Sequence, residues 1–421
     1  MSLAKAAVAA ARFGLGPAPG ELERIANDPH QWLSRQLRRA EEGPDAPASP
    51  DLLAHAAGLR GDSQKVGSWS RERAKEDAQA ALEYAASTKK PFQERLVRFW
   101  SNTLAVSVRR KQVGALAGSY EREAIRPNVL GRFEDLLLAS TRHPAMQLYL
   151  DNQRSTGPDS RTGRRRGIGL NENLAREILE LHTLGVDGGY DQDDVEALAA
   201  LLTGWGLEAE VGFTFTSRRH QPGSKRLLGR SFPEGEEGGV EALRFLARHP
   251  STARNLCTRL AQDVIADRVD EAIIDRLVDA WGEGELRSVY EALIAEPAAW
   301  EPLRKLRTAQ ELVIATARAL PESPRNLMRA SVDSLRQPLW GPPSPAGWSD
   351  QARDHAGPDA ILSRVEWCQR AARRAPKQDG LGFAGSLLGP LVGRELQRTL
   401  KRVDGHAAMA IVLASPEFQR R

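Results

Sequence analysis

Cysteine is nearly absent: the chain of 421 residues holds two, Cys257 and Cys368. One pair cannot supply a disulfide framework. No CxxC or CxxCH spacing occurs, which argues against thiolate zinc sites and covalent haem attachment. Both thiols lie inside apolar helical patterns, NLCTRLAQ and VEWCQRAA, and read as buried structural groups. Long apolar runs are also missing, and nothing approaches the roughly 20 residues that span a bilayer as a helix. No P-loop, GxSxG or HExxH pattern is present, and no GxGxxG follows a predicted strand as a Rossmann turn requires. A strong charge of one sign is lacking too. Lys and Arg total 59 against 55 Asp and Glu, a net charge of +4. Spread over this length, that does not make a nucleic-acid binder without a clustered patch.

What is there is helix. Hydrophobic residues make up 41% and charged residues 27%, a globular balance. Arginine outnumbers lysine, and with abundant Ala and Gly this fits a GC-rich bacterial genome. The N-terminal Ala/Val run is broken by Arg12 and leads straight into Phe13-Gly14-Leu15-Gly16-Pro17, so it reads as a first helix and not as a targeting segment, with a cytoplasmic location expected. The 3.6-residue period predicts helices over 21–38, 131–140, 172–184, 193–202, 240–247, 252–266, 270–280, 286–295, 302–319, 324–335, 359–372 and 393–400. Residues 70–87, charged and alanine-rich, predict an exposed helix, and Pro91 opens another. Residues 205–219 break the habit. Val211, Phe213 and Phe215 alternate with small residues, which predicts a hairpin, with 225–228 as a third short strand. The fold class expected is mainly α: one large multi-helix domain over 1–421 with a small β excursion near 205–229. Two loops stand out, the arginine-rich 152–169 and the Pro/Gly/Trp segment 340–348.

The stretch 169–194, GLNENLAREILELHTLGVDGGYDQDD, followed by LLTGW at 201–205, resembles the signature of a bacterial family catalogued as domain of unknown function 1800. RFGLGP at 12–17, FWSNTLAVS at 99–107, 126–133, HPAMQLYLD at 143–151, HQPGSKRLLG at 220–229, 339–348 and 415–421 extend the resemblance over essentially the whole chain. It implies a mostly helical protein without an established activity. It also implies a partner, because genes of this family often neighbour those of domain of unknown function 1501, a phosphatase/sulfatase-like fold. Three positions depart from the family pattern: Thr103 stands for a usual His, Gln221 for a usual Asp or Glu, and Arg336 for a usual Gly. The first two replace groups that bind metals or move protons, which implies an altered site in this chain.

Candidate chemistry centres on 171–182. On a helix, Asn173, Glu177 and Glu180 share a face, and Arg176 lies at i±4 spacing from Glu172 and Glu180. Carboxylates around one arginine fit a buried ion network. They also fit oxygen ligands for a divalent metal, with His182 and His220 adding nitrogen. The metal-ligand set is then Glu177, Glu180, His182 and His220, with Glu177, Arg176 and His220 as catalytic residues. His143 and His249, each in an Arg-His-Pro turn, read as helix-entry residues. Asp187–Asp194 fails the calcium-loop pattern and reads as a helix cap. Arg161, Arg164, Arg165 and Arg166, with Lys225, form the candidate anion- or partner-binding set, although no interleaved aromatic supports specific nucleic-acid binding. Trp100, Trp205, Trp340 and Trp348 suggest a groove. Two function classes stay open: a scaffold or maturation partner of another protein, or a metal-dependent hydrolase or oxidoreductase with a carboxylate/His pocket.

Overall fold

Proline and alanine placement sets the helices around which the chain packs. The computed structural model describes residues 2–59, 62–323 and 325–421. Helix α1 (Ser63–Ser87) is the longest. Its alanines are not the exposed face that charge patterning suggests: Ala78, Ala81, Leu82, Ala85 and Ala86 are buried. This helix packs against the one at 309–319. Helix α2 (Pro91–Thr103) starts with Pro at its first turn, where the missing N–H costs nothing. It buries Phe92, Leu96, Val97 and Trp100. The Trp100 indole N–H donates to the Tyr290 hydroxyl at 2.6 Å, and that hydroxyl donates to the Val129 carbonyl at 2.9 Å.

The middle of the chain adds α3 (Arg161–Arg166), α4 (Asn173–Glu177) and α5 (Gln192–Leu201). Two antiparallel hairpins follow. Strand β1 (Trp205–Glu208) pairs with β2 (Gly212–Phe215), Trp205 opposite Phe215. Strand β3 (Lys225–Leu227) pairs with β4 (Arg230–Phe232), Lys225 opposite Phe232. The excursion is thus two separate two-stranded sheets. Val211, expected in a strand, is exposed in the turn between β1 and β2. β4 is too short for its alternation to register in sequence. Helices α6 (Glu236–Ala247), α7 (Pro250–Val264) and α8 (Ala309–Ala319) complete the frame needed below.

Apolar side chains collect into two large clusters. One is built around Trp100, Phe133, Trp205 and Trp281. The other is built around Leu82, Leu312, Trp367 and Met409, where the helices Pro358–Arg373 and Gly405–Ala414 pack. No described helix is long and apolar enough to cross a membrane. Helix boundaries shift where polar groups compete with periodicity. The helix expected over 21–38 breaks because Asp28 caps a new start at Pro29, its carboxylate accepting from the Gln31 N–H. The helix expected over 302–319 starts at Ala309, after a Thr308/Glu311 capping box. The preceding residues pair with the chain's last ones instead, Lys305 N–H to the Arg421 carbonyl and Arg307 N–H to the Gln419 carbonyl. In the stretch expected as helix over 324–335, Pro324 lies outside the described residues, and the α-helical part is Met328–Ser334.

Ion pairs tie the clusters together from inside. Arg126, 2% exposed, donates to both oxygens of Glu94 at 2.7 and 3.0 Å and to Glu121 at 2.8 Å. Arg95 donates to Glu311, and the Arg421 guanidinium lies 2.9 Å from the same carboxylate. Arg12, fully buried, donates to the carbonyls of Ile265 (2.6 Å), Glu301 (2.6 Å) and Arg421 (3.0 Å), joining residue 12 to residue 421. Its pKa falls to about 9, through burial and the Arg421 charge. Buried guanidinium groups persist only when partners replace lost water.

Candidate functional site

The helix that carries the densest motif changes pitch in the middle. α4 ends at Glu177, and Ile178–His182 continues as one wide π turn. The Thr183 hydroxyl closes it on the Ile178 carbonyl at 2.6 Å. Residue type groups His182 with Glu177 and Glu180, but its four-residue spacing sets it on the face of the buried Ile178, and it is 1% exposed. Its Nε2 has no partner. Burial first, and then the Arg259 charge, hold its pKa down to about 3. The carboxylates remain half-exposed. Arg176 pairs with Glu172 at 2.7 Å, at 43% and 34% exposure. That is a solvent-screened pair worth little, not the buried network suggested by the residue pattern. Burial and the Glu180 charge raise the Glu177 pKa.

His182 yields a direct test. Its folded pKa lies below the ordinary 6.5, so its contribution is complete above about pH 6.5 and is lost as pH falls toward 3. His182→Leu is expected to be neutral or stabilising at pH 7, because it removes an unpartnered buried nitrogen. It should also flatten the stability loss between pH 6.5 and 5, read by urea unfolding across pH.

His220 belongs to a different structure. Its Nδ1–H donates to the Thr203 carbonyl at 2.9 Å, and its Nε2 accepts from the Gly235 N–H at 3.0 Å. Lys225 turns inward, its ammonium donating to the carbonyls of Gln221 and Gly223, the latter at 2.7 Å, and lying 3.3 Å from the same Nε2. Burial lowers both pKa values. The pair knits the second hairpin to the start of α6. Glu177, Glu180, His182 and His220 therefore do not gather, and the described residues hold no group of three or more metal-ligating side chains.

Arginine 219 underlies the basic segment. It donates to the carbonyls of Gln153 (2.6 Å) and Ser155 (3.0 Å), and its own carbonyl accepts from the Gly157 N–H at 2.8 Å. Gln221 bridges to the same segment. Its amide nitrogen donates to Asp159 Oδ2 at 3.0 Å, and its amide oxygen accepts from the Asp159 N–H at 3.1 Å. An ionised acid could accept there but not donate, so Gln221 makes one contact that a carboxylate cannot. Ser160 then caps α3, accepting from the Gly163 N–H at 3.0 Å. Gly163 has no room for a side chain, since a Cβ would strike the Gly157 and Pro158 carbonyls. The expected loop is thus a capped, anchored turn of helix. Arg161, Arg164, Arg165 and Arg166 are all exposed, as are Arg154 and Arg218. Only Arg164 among the four helix arginines has an acidic neighbour, Asp159 at 3.5 Å. Burial and the Arg166 charge lower the Arg219 pKa.

The four tryptophans divide. Trp100 and Trp205 lie in the first apolar cluster. Trp340 and Trp348 frame a wall fastened to α2. Asn102 accepts from the Trp348 N–H at 2.7 Å and donates to the Trp348 carbonyl at 2.8 Å. Gly347, at φ +83°, packs against Asn102 where no Cβ fits. The Trp340 indole donates to Glu121 at 3.1 Å. Behind this wall lies a cavity of about 150 Å³ between α2, α7 and α8. α2 presents Arg95, Arg98, Phe99, Asn102 and Thr103 at helical spacing, and α7 presents Arg259, Gln262 and Asp263. Burial raises the Asp263 pKa against the opposing Arg421 and Arg95 charges. Burial would raise Glu311 too, but Arg421 and Arg95 together hold its carboxyl well below the usual range.

Sequence reasoning misses this cavity because its polar residues are spread from 95 to 350 and form no motif. Two signals pointed toward it: position 103, singled out as a departure from the family pattern, and Trp348, expected at a groove; both residues line the cavity. A family model described as "Protein of unknown function (DUF1800)" matches residues 8–420. No curated protein and no solved structure matches the chain.

Proposed function

This chain belongs to the DUF1800 family, and we propose that it is a scaffold or maturation partner that holds an acidic surface of another protein on α3. The candidate partner is a domain of unknown function 1501 protein. The observation that carries this reading is the anchored basic turn. Arg161, Arg165 and Arg166 stand exposed without an ion pair, on a backbone fixed by Ser160, Gly163, Arg219 and Gln221. Concentrated like charge destabilises a fold by self-repulsion. Fixing its backbone lowers the ordering cost of binding planar carboxylates. Gly163→Ala separates charge from geometry. It keeps every arginine, yet its methyl displaces α3, so co-purification of the partner should fall as it should for Arg161→Glu/Arg165→Glu/Arg166→Glu. Undiminished co-purification would leave the fixed geometry without a role.

A second reading rests on Glu177 and Glu180, two carboxylates with no hydrogen bond or ion pair of their own, the first with a raised pKa. Two such groups with water ligands hold a divalent cation for acid–base chemistry. Elemental analysis of the purified protein is expected to show near-stoichiometric metal that Glu177→Gln removes. Protein free of metal after reconstitution would rule this reading out.

A further inference from the structure

The cavity behind Trp348 has an imbalance that the fold does not correct. Each of its acids is matched. Glu311 is held by Arg95 and Arg421. Asp263 lies 3.4 Å from Arg421, and Asp350 lies 3.2 Å from Lys305. Arg95 is satisfied as well, with two donors on the Gly14 carbonyl and one on Glu311.

Two other arginines are not. Arg98, with 12% of its side chain exposed, has only the Ala81 carbonyl at 3.3 Å and a distant Glu94 oxygen at 3.5 Å. Glu94 is already held by both donors of Arg126. The Arg98 Nε and Nη1 atoms are buried without any partner. Arg259 makes one hydrogen bond, to the Leu181 carbonyl at 3.1 Å. Beside them, the side chains of Thr103 and Gln262 make no hydrogen bond at all, and both line the same cavity. Buried donors without acceptors are rare in native proteins and costly where they occur. Arg98 carries two of them at this cavity, where Arg259, Gln262 and Thr103 also stand.

We propose that this cavity binds a small organic acid, its oxyanion accepting from Arg98 and Arg259. Guanidinium groups match carboxylate and phosphate oxygens in shape and charge. Gln262 and Thr103 supply neutral donors to the same oxygens. Part of the lining is apolar, with Leu15, Phe99, Ile314 and Trp348 standing among the polar groups. Such walls take an organic body, which free phosphate lacks. The site is independent of α3, so it stands whether or not the basic turn holds a partner. Thr103 takes part as a donor, which gives the family-variant position a role in this chain.

The test uses the full chain with two probes, benzoate and inorganic phosphate, followed by ligand-detected NMR and thermal unfolding. Benzoate is expected to bind and raise the unfolding temperature. Arg98→Met should weaken binding about tenfold or more, the weight of a charge-assisted bond. Arg259→Gln should weaken it similarly, and it serves as the second variant if Arg98→Met does not fold. Gln262→Leu should weaken it less. A response to phosphate with none to benzoate would overturn the organic-acid assignment in favour of a phosphate group. Binding of neither probe, or binding indifferent to both arginine variants, would overturn the site altogether.

Discussion

Arg126→Ala is expected to cost about 3–5 kcal/mol of folding stability, since it leaves two buried carboxylates without their hydrogen-bonded cation. Glu94 and Glu121 are 2% exposed each, and Arg126 is the group that bonds both. Burial alone would raise the Glu121 pKa, but the charges of Arg126 and Arg98 and the Trp340 N–H bring it below the ordinary 4.5. The sign of the pH dependence follows. A carboxyl with a depressed folded pKa contributes stability that is present above about 4.5 and is lost as pH falls through the folded value. In Arg126→Ala the depression reverses, so the variant should be least stable relative to the parent at neutral pH, with the gap narrowing in acid. Guanidinium unfolding at pH 7 and pH 4 checks both statements. An equal deficit at the two values would mean that lost packing dominates.

Glu311→Ala carries the second large effect. One carboxylate answers Arg95 and Arg421, caps α8 by accepting from the Thr308 N–H at 2.7 Å, and lines the cavity. Its removal should cost about 3–5 kcal/mol through the unpaired arginines, with about 1 kcal/mol more from the cap. Glu311→Gln separates these terms. It keeps an acceptor for the cap and loses the charge, so it should recover only the smaller part. Full recovery by Gln would show that the arginines do not depend on the charge.

How much could be read from the residues depends on the range of the interactions involved. Proline starts, apolar periodicity and the alternating 213–215 segment are local, so the mainly α architecture with a β excursion was legible. The π turn at 178–182 was not, because no residue type in 172–184 distinguishes a π turn from continued α-helix. Arg161–Arg166 read as a loop because Gly163 and Gly167 lower helix propensity. What makes it helix is tertiary support from Arg219 and Gln221, and the Ser160 cap. The buried pairs Arg126–Glu94 and Arg95–Glu311 were invisible as pairs, since the second joins residues 216 positions apart. The cavity shares that origin: no spacing within one segment announces side chains contributed by three helices and a proline-rich wall.

Binding of the co-expressed domain of unknown function 1501 protein, measured against salt for the parent and for Arg161→Glu/Arg165→Glu/Arg166→Glu, tests the central claim most directly. The account predicts a complex that weakens steeply with ionic strength, as exposed charge pairing requires. It predicts that triple reversal abolishes the complex without lowering the unfolding midpoint, because none of the three side chains hydrogen-bonds to the fold and reversal relieves the repulsion between Arg166 and Arg219. No complex with the parent, or one that survives reversal with the same salt dependence, would contradict it.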